Sequence, residues 1–348
     1  MSKRALGIIN IEPSYVHVEG IEDYRPISAT SFMGRYRIID FIISNLTNSG
    51  VNNIEVQVKN RPRSTIQHIQ RTDYNINTKR GHIRILHGEK PIPNEIYNTD
   101  VASLMANLKY FEEDNSPYVI LAPSHFIYVQ DFSKMLDYHI ESKNDITVLY
   151  QNVNTANEDF LMCDTLDIDE NKVITNIDKN LGKGKRAKVS LETYIMSKKI
   201  FVDMIYAALS TSSLYSLSDI IADGLDVFKI GGYLHTGYAA CISTLNSYYK
   251  ASMDIKNEKE LSNIFSDDWP IYTATNDTCP TTYTKTSNVS NCVVGNGCII
   301  EGTVENCVIG RNVVVKEGAV IKDSIIMPDA LINKNVKMDK CVVDRLAI

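Results

Sequence analysis

The chain has 348 residues, one tryptophan, no cysteine before Cys163 and no histidine after His235. Its seven cysteines, an odd number, do not make a disulfide framework; they suit a reducing compartment, so a cytoplasmic protein is expected. Apolar runs are short. The one at residues 38–43 is broken by Asp40, whereas a membrane span needs about 20 apolar residues, so no membrane association is expected. The opening MSKRALGIINIEP lacks the apolar core and cleavage site of a signal peptide and reads as a first buried strand. Positive charge is not in excess: 36 Lys+Arg against 42 Asp+Glu leave a net −6, which argues against nucleic-acid binding. What is present is globular, with 44% hydrophobic and 22% charged residues, and enough chain for about two domains.

The last third carries a repeat. Counting in sixes from Val308 gives Val314, Val320, Ile326, Ile332 and Met338, all apolar. A register one residue later gives Ile309, Val315, Ile321 and Met327, and Val294 and Ile300 keep the spacing in a shifted phase. Gly295, Gly297, Gly302, Gly310, Asn312 and Gly318 supply turns between them. A period of six with one inward aliphatic per step predicts a parallel β-helix of hexapeptides. Cys292, Cys298, Cys307 and Cys341 then read as small buried residues, not ligands. The repeat runs to Ile348 without an evident cap, so either a partner covers that end or the chain is shortened relative to its relatives.

Upstream, apolar strand candidates at 5–11, 53–58, 83–86, 118–122 and 146–150 alternate with helical stretches at 37–49, 64–70, 100–112 and 132–142. Strands with turns follow over 159–194, then helices at 197–210 and 216–225. This alternation predicts a doubly wound, mostly parallel α/β domain over residues 1–256, a linker loop over 257–286, and the β-helix over 287–348.

Open α/β sheets bind ligands at the carboxyl ends of their strands. The first such loop, NIEPSYVHVEG (residues 10–20), has no glycine before Gly20 and carries Glu12 and Glu19. It is neither a phosphate cradle nor a dinucleotide fingerprint. The next block is RPISATSFMGRYRIIDFIISNLTNSG (residues 25–50). It resembles the RPxAxxPFGGRYRIIDFxLSNxxNSG block of glucose-1-phosphate adenylyltransferases (ADP-glucose pyrophosphorylases). That family joins a nucleotidyltransferase-like, Rossmann-type α/β domain to a left-handed hexapeptide β-helix, so the resemblance covers nearly the whole chain. It implies a phosphoryl transfer in glycogen biosynthesis, from ATP and glucose 1-phosphate to ADP-glucose and pyrophosphate.

The chain departs from that family at each catalytic feature. Residues 10–23 replace the GGxGxRLxPLT loop. In LAPSHFIY (residues 121–128) Ser124 stands where the SGDHIY-type motif has a metal-binding Asp, and in GYAACIS (residues 237–243) Cys241 stands where GYWxDVGT has another. Neither a hydroxyl nor a neutral thiol suits Mg²⁺. The resemblance therefore implies no catalytic or metal-binding residue and no cofactor in this chain, and is closest to the regulatory, non-catalytic subunit of the two-subunit bacterial enzyme. The implied partner is the catalytic subunit, which requires Mg²⁺, in a hetero-oligomer, a tetramer by the family's pattern. Lys179 and Asp219 match vestiges of the sugar-side motifs xxEKP and KDIIP. Arg25, Arg35 and Arg37 are candidates for a small phosphorylated effector, since arginine suits phosphate; structural roles are the alternative. Lys59, Arg61, Arg63 and Arg71 form a further basic cluster, a solvated loop or a phosphate contact.

Other readings stand beside this one. An active nucleotidyltransferase could use displaced carboxylates, for which Asp100, Asp131 and Asp164 are candidates. A hexapeptide acyltransferase needs a histidine base between coils, and the β-helix has none. Ser124 and His125, adjacent on a strand end, point apart and lack an oxyanion loop.

Overall fold

The computed structural model describes residues 4–58, 61–87, 99–212, 215–254 and 256–348; Lys59 of the basic cluster lies outside them. Strand β1 (Ala5–Asn10) is followed by a hairpin of β2 (Ser31–Phe32) and β3 (Tyr36–Arg37), then α1 (Ile38–Asn48). Next come β4 (Asn53–Val58), α2 (Arg63–Arg71), β5 (His82–His87), α3 (Asp100–Ala106), α4 (Leu108–Glu113), β6 (Tyr118–Pro123), β7 (Phe126–Tyr128), α5 (Phe132–Ser142) and β8 (Ile146–Val153). The rest of this domain is β9 (Asp164–Ile168), β10 (Ile174–Lys179), β11 (Ala187–Ser197), α6 (Lys198–Thr211), α7 (Leu217–Asp223), β12 (Ile230–Leu234), β13 (Ala239–Cys241), α8 (Leu245–Asp254) and α9 (Glu258–Ile264).

Nine strands form the main sheet, in the order β10-β9-β11-β6-β1-β4-β5, with β8 between β11 and β12 as a branch. The half around β1 is parallel, as the alternation predicts. The other half is mixed, because β11 runs antiparallel to β6, β8 and β9. Alternate side chains of β1 enter two separate cores: Ala5 and Ile9 pack with α1 and α5 residues, Leu6 and Ile8 with α3, α4 and α6 residues.

Two expectations need correction. The single helix over 100–112 is broken at Asn107, whose side-chain amide donates to Ser103 O at 3.0 Å and His87 O at 3.2 Å, a side-chain competition that disfavours helix continuation. The linker is not all loop: Asn257 accepts from the backbone N–H of Lys259 and caps α9.

From Thr282 the chain winds a left-handed parallel β-helix of three sheets, each built from four short strands. The ladder of inward residues corrects the strict period. Ile309, Val315 and Ile321 stack under Ile326, Ile332 and Met338, so this coil advances by six, six and five residues, 17 in all, whereas the coil before it, from Val294 to Ile309 and from Ile300 to Val315, advances by 15. The two registers visible in the sequence are successive pieces of one ladder that slips by one at the 17-residue coil. The short step is a corner where Cys292, Cys307, Ser324 and Cys341 stack. Each of the last three accepts or donates across coils: Cys307 N–H to Cys292 Sγ at 3.4 Å, Ser324 N–H to Cys307 Sγ at 3.4 Å and Cys341 N–H to Ser324 Oγ at 3.0 Å. These cysteines are therefore hydrogen-bonding members of a ladder, not merely apolar fillers, and Cys292 and Cys341 are only part-buried.

Val308 and Met327, which belong to the two registers but not to the inward ladder, are buried because the α/β domain covers them. They pack with Ile38, Phe41, Tyr248 and Ile264 in one cluster that spans both domains. Gly34, at φ +67°, lets its backbone approach Ile309 O so closely that a Cβ there would lie 2.6 Å from it. The block at 25–50 thus serves as the seat of the β-helix. Among the described residues no helix is long and apolar enough to cross a membrane.

Candidate functional site

The cleft lies at the carboxyl ends of β1 and β6. The loop after β1 turns inward and places Tyr15 there. Its phenol O–H donates to Glu192 Oε1 and lies 3.2 Å from His125 Nε2 and 3.6 Å from Cys163 Sγ. Glu192 reaches this point because β11 shifts register against β8 between Ser190 and Thr193. The residue sits at φ +49°, a left-handed conformation that costs a side-chain-bearing residue about 1–2 kcal/mol. Burial pushes its carboxyl up to about 7, despite the bond from Tyr15. Burial and the neighbouring Glu192 raise the Tyr15 phenol well above its ordinary value, so it remains a donor, and burial lowers His125 to about 3, so it remains neutral.

Cys241 joins this group of side chains. The β7–β13 pair brings Cys241 opposite Phe126, and Cys241 Sγ lies 3.7 Å from Cys163 Sγ. Ser124 is buried and its Oγ has no hydrogen-bond partner among the described residues. A hydroxyl and a thiol facing another thiol do not fit Mg²⁺, which takes hard oxygen ligands. Among the described residues no group of three or more His, Cys, Asp or Glu side chains is placed to hold a metal ion.

The candidate displaced carboxylates are otherwise engaged. Asp100 accepts from Asn10 Nδ2 at 2.9 Å and from the Leu217 N–H at 3.2 Å. Asp164 pairs with Lys179 at 2.5 Å and accepts from Ser218 Oγ at 2.5 Å. Asp131 caps α5. Lys179 is thus in the cleft, its charge reinforced by Asp164. Asp219 instead forms the capping box of α7 with Ser216.

A second concavity, about 350 Å³, lies between the two domains and gathers Arg25, Arg35, Arg37, Arg71, Arg311 and Arg345. Two are committed to partners: Arg25 to Asp344 and Met327 Sδ, Arg345 to Asp329 at 3.0 Å. Arg37 caps α1 through its backbone N–H to Asp40 at 2.8 Å, and its guanidinium donates to Ser64 O at 3.2 Å. Burial lowers it to about 10. Arg35 lies over the Tyr36 ring at 5.6 Å. Among the described residues Arg311 Nε and Ser64 Oγ are buried without hydrogen-bond partners, donors that an anion could use. All three arginines singled out in the sequence therefore meet here.

Sequence reasoning missed Tyr15, Glu192, Arg311 and Arg345. The first two lie in segments that read as an acidic loop and an ordinary strand; the others come from the β-helix and join the cleft only through domain packing.

Comparison with known proteins completes the picture. Residues 25–258 match the nucleotidyl transferase family and residues 278–348 match the GlmU-like, C-terminal hexapeptide family. The chain is 28% identical over 327 residues to the glycogen biosynthesis protein GlgD of Bacillus subtilis, covering 92% of this chain and 83% of that protein. It is 30% identical over 303 residues to the glucose-1-phosphate adenylyltransferase of Mycoplasma mobile, covering 84% and 78%. To the GlgD of Geobacillus stearothermophilus it is 28% identical, covering 92% and 84%.

Proposed function

The chain belongs to the nucleotidyl transferase family, among the relatives of glucose-1-phosphate adenylyltransferase, and from that premise we propose that it is a regulatory, catalytically deficient subunit of that enzyme in glycogen biosynthesis. The observation that carries this reading is the Tyr15–Glu192 contact. It sets an aromatic side chain and a buried carboxylate in the cleft where a nucleotide's phosphates would need backbone donors and cations. Phosphoryl transfer depends on positioning and charge neutralisation; here the acids Glu192, Asp100 and Asp164 offer a phosphate no positive charge, and Lys179, the one cation among these groups, is already paired with Asp164.

The same premise supports a regulatory role for the interdomain cleft. A small phosphorylated effector would meet Arg35, Arg311 and Arg71 there, and would bridge the two domains. Such a ligand changes a partner's affinity only if it binds the domain arrangements unequally. The partner in this reading is a catalytic glucose-1-phosphate adenylyltransferase subunit, in a hetero-oligomer in the cytoplasm. Native mass measurement of the chain mixed with that subunit tests it: a mixed tetramer or other mixed species is expected, and two species that never combine at about micromolar concentration would refute it.

A further inference from the structure

Two loops stand side by side at one end of the antiparallel half of the main sheet: residues 154–163, between β8 and β9, and residues 180–186, between β10 and β11. Hydrogen bonds tie them together. The Asn180 side-chain amide donates to the carbonyls of Ala156 at 2.9 Å, Asp159 at 3.2 Å and Phe160 at 2.9 Å. The Met162 N–H donates to Asn180 O at 2.9 Å, and the Ala156 N–H to Lys185 O at 2.9 Å. Phe160 and Met162 both take the left-handed conformation, at φ +55° and +67°. That backbone is strained for side chains of this size and persists only where the surroundings over-determine it. Phe160 turns into the core, while Leu161 and Met162 are left 41% and 42% exposed, beside Leu181 at 60%. A Cβ on Gly182 would lie 3.2 Å from Leu161 Cδ2, so the two loops touch there. Clustered apolar side chains held in the open mark an interaction surface.

Charge of both signs adjoins this cluster. Following Leu181, Lys183, Lys185 and Arg186 are exposed, and their side chains make no hydrogen bond or ion pair among the described residues. Leu161 also lines a concavity of about 410 Å³, together with Glu158, Asp159, Asp254 and Glu260. Lys250 is the one base in that lining, and it is spent on Asp159, at 2.7 and 2.6 Å from its two oxygens. Glu158, Asp254 and Glu260 have no ion-pair partner among the described residues. Burial, then the neighbouring Asp159 and Glu260, push the Asp254 carboxyl up against the pull of Lys250. The chain thus carries a cationic loop and an acidic concavity next to each other, and the two do not pair within one chain. A two-fold axis through the apolar cluster sets each loop against the other copy's concavity, so that one contact is made twice.

We infer that this surface is a self-complementary interface on which a second copy of the chain docks. Leu161, Met162 and Leu181 pack at the two-fold axis, and Lys183, Lys185 and Arg186 of each copy enter the acidic concavity of the other. The concavity is also lined by Cys241, so the second copy covers the space beside the vestigial cleft. The inference does not rest on the proposed subunit role, since it concerns this chain without a catalytic partner.

Sedimentation equilibrium of the full chain tests it, and a dimer is expected at about 10 micromolar. One variant reverses the loop, with Lys183→Glu, Lys185→Glu and Arg186→Glu together. The other reverses the concavity, with Glu158→Lys and Asp254→Lys together. Each should weaken dimerisation about tenfold or more, because like charges then face each other twice. In an equimolar mixture of the two variants both contacts join opposite charges again, so a mixed dimer should return. All of these positions are exposed, so both variants should keep the unfolding temperature of the parent monomer. Leu181→Ser should weaken the dimer without a change of charge. A parent that is monomeric at about 100 micromolar overturns the inference. So does a dimer indifferent to both reversals and to Leu181→Ser, which would use another face, and so does a mixture of the two folded variants that stays monomeric.

Discussion

Replacing Glu192 with glycine should alter stability by an amount that depends steeply on pH. In the folded chain the carboxyl is pushed up to about 7, chiefly by burial; in the unfolded chain it titrates at about 4.3. A carboxyl raised in this way binds its proton more tightly in the native state. Its contribution is complete below the unfolded value and is lost as pH rises through about 7, a swing of about 4 kcal/mol. Glycine removes that swing. It also relaxes the left-handed backbone at φ +49°, worth about 1 kcal/mol, and forfeits the bond from Tyr15, worth about 1.5–3 kcal/mol. Near about pH 5 these last two terms leave the variant equal to the parent or slightly weaker; near about pH 8 the variant should be the more stable by about 1–3 kcal/mol. His125, shifted by burial alone, cancels in the comparison, while Cys163 and Lys179, which Glu192 helps to raise above their ordinary values, keep their protons between about pH 5 and 8 in both proteins. Urea unfolding can be followed by the fluorescence of the one tryptophan, Trp269, whose indole N–H donates to Asn45 Oδ1 at 3.1 Å. Parallel pH profiles for parent and variant would refute the reasoning, because Glu192 would then titrate as an ordinary exposed carboxylate.

Three further outcomes are expected. The double variant Ser124→Asp, Cys241→Asp should release no pyrophosphate above background from ATP and glucose 1-phosphate, because Tyr15 and Glu192 still hold the cleft; losing even one preorganised charge-stabilising group costs about 10²–10³ in rate, and robust turnover would show the loop dispensable. Arg311→Ala should weaken binding of inorganic phosphate or a sugar bisphosphate by about tenfold or more, read by calorimetry, while unchanged affinity would remove the interdomain cleft as an effector seat. Asp344→Ala leaves the 11% exposed Arg25 side chain without its carboxylate and should destabilise the domain interface by about 1–3 kcal/mol; an unchanged unfolding midpoint would show the pair to be incidental.

The β-helix was legible because its signal is local: an aliphatic residue must point inward at each face, and turns must carry Gly or Asn. Its varying coil length was not legible, because Val308 and Met327 are apolar for a different reason, the cover of the α/β domain, and so imitate the inward ladder. The parallel half of the main sheet followed from strand–helix alternation. The antiparallel half did not, since a fully buried strand such as β11 reads alike in either direction. In the cleft, the missing glycines and the Ser124 and Cys241 replacements were visible as absences. What fills the space was not visible, because Tyr15 and Glu192 lie 177 residues apart and meet only through the sheet order. Arg25, Arg35 and Arg37 could be picked out as an arginine-rich segment, whereas Arg311 and Arg345 joined them only when the domains packed.

In the role proposed for it, this chain regulates a catalytic relative without catalysing the reaction itself. The most direct test is the rate of ADP-glucose formation by the catalytic subunit alone, by this chain alone, and by the two together, over a range of substrate and phosphorylated-effector concentrations. Background rates are expected for this chain alone and, for the mixture, saturation curves displaced from those of the catalytic subunit by about 5–150-fold in apparent affinity, the range of an allosteric coupling of about 1–3 kcal/mol. Turnover by this chain alone, or curves for the mixture that superimpose on those of the catalytic subunit, would contradict it.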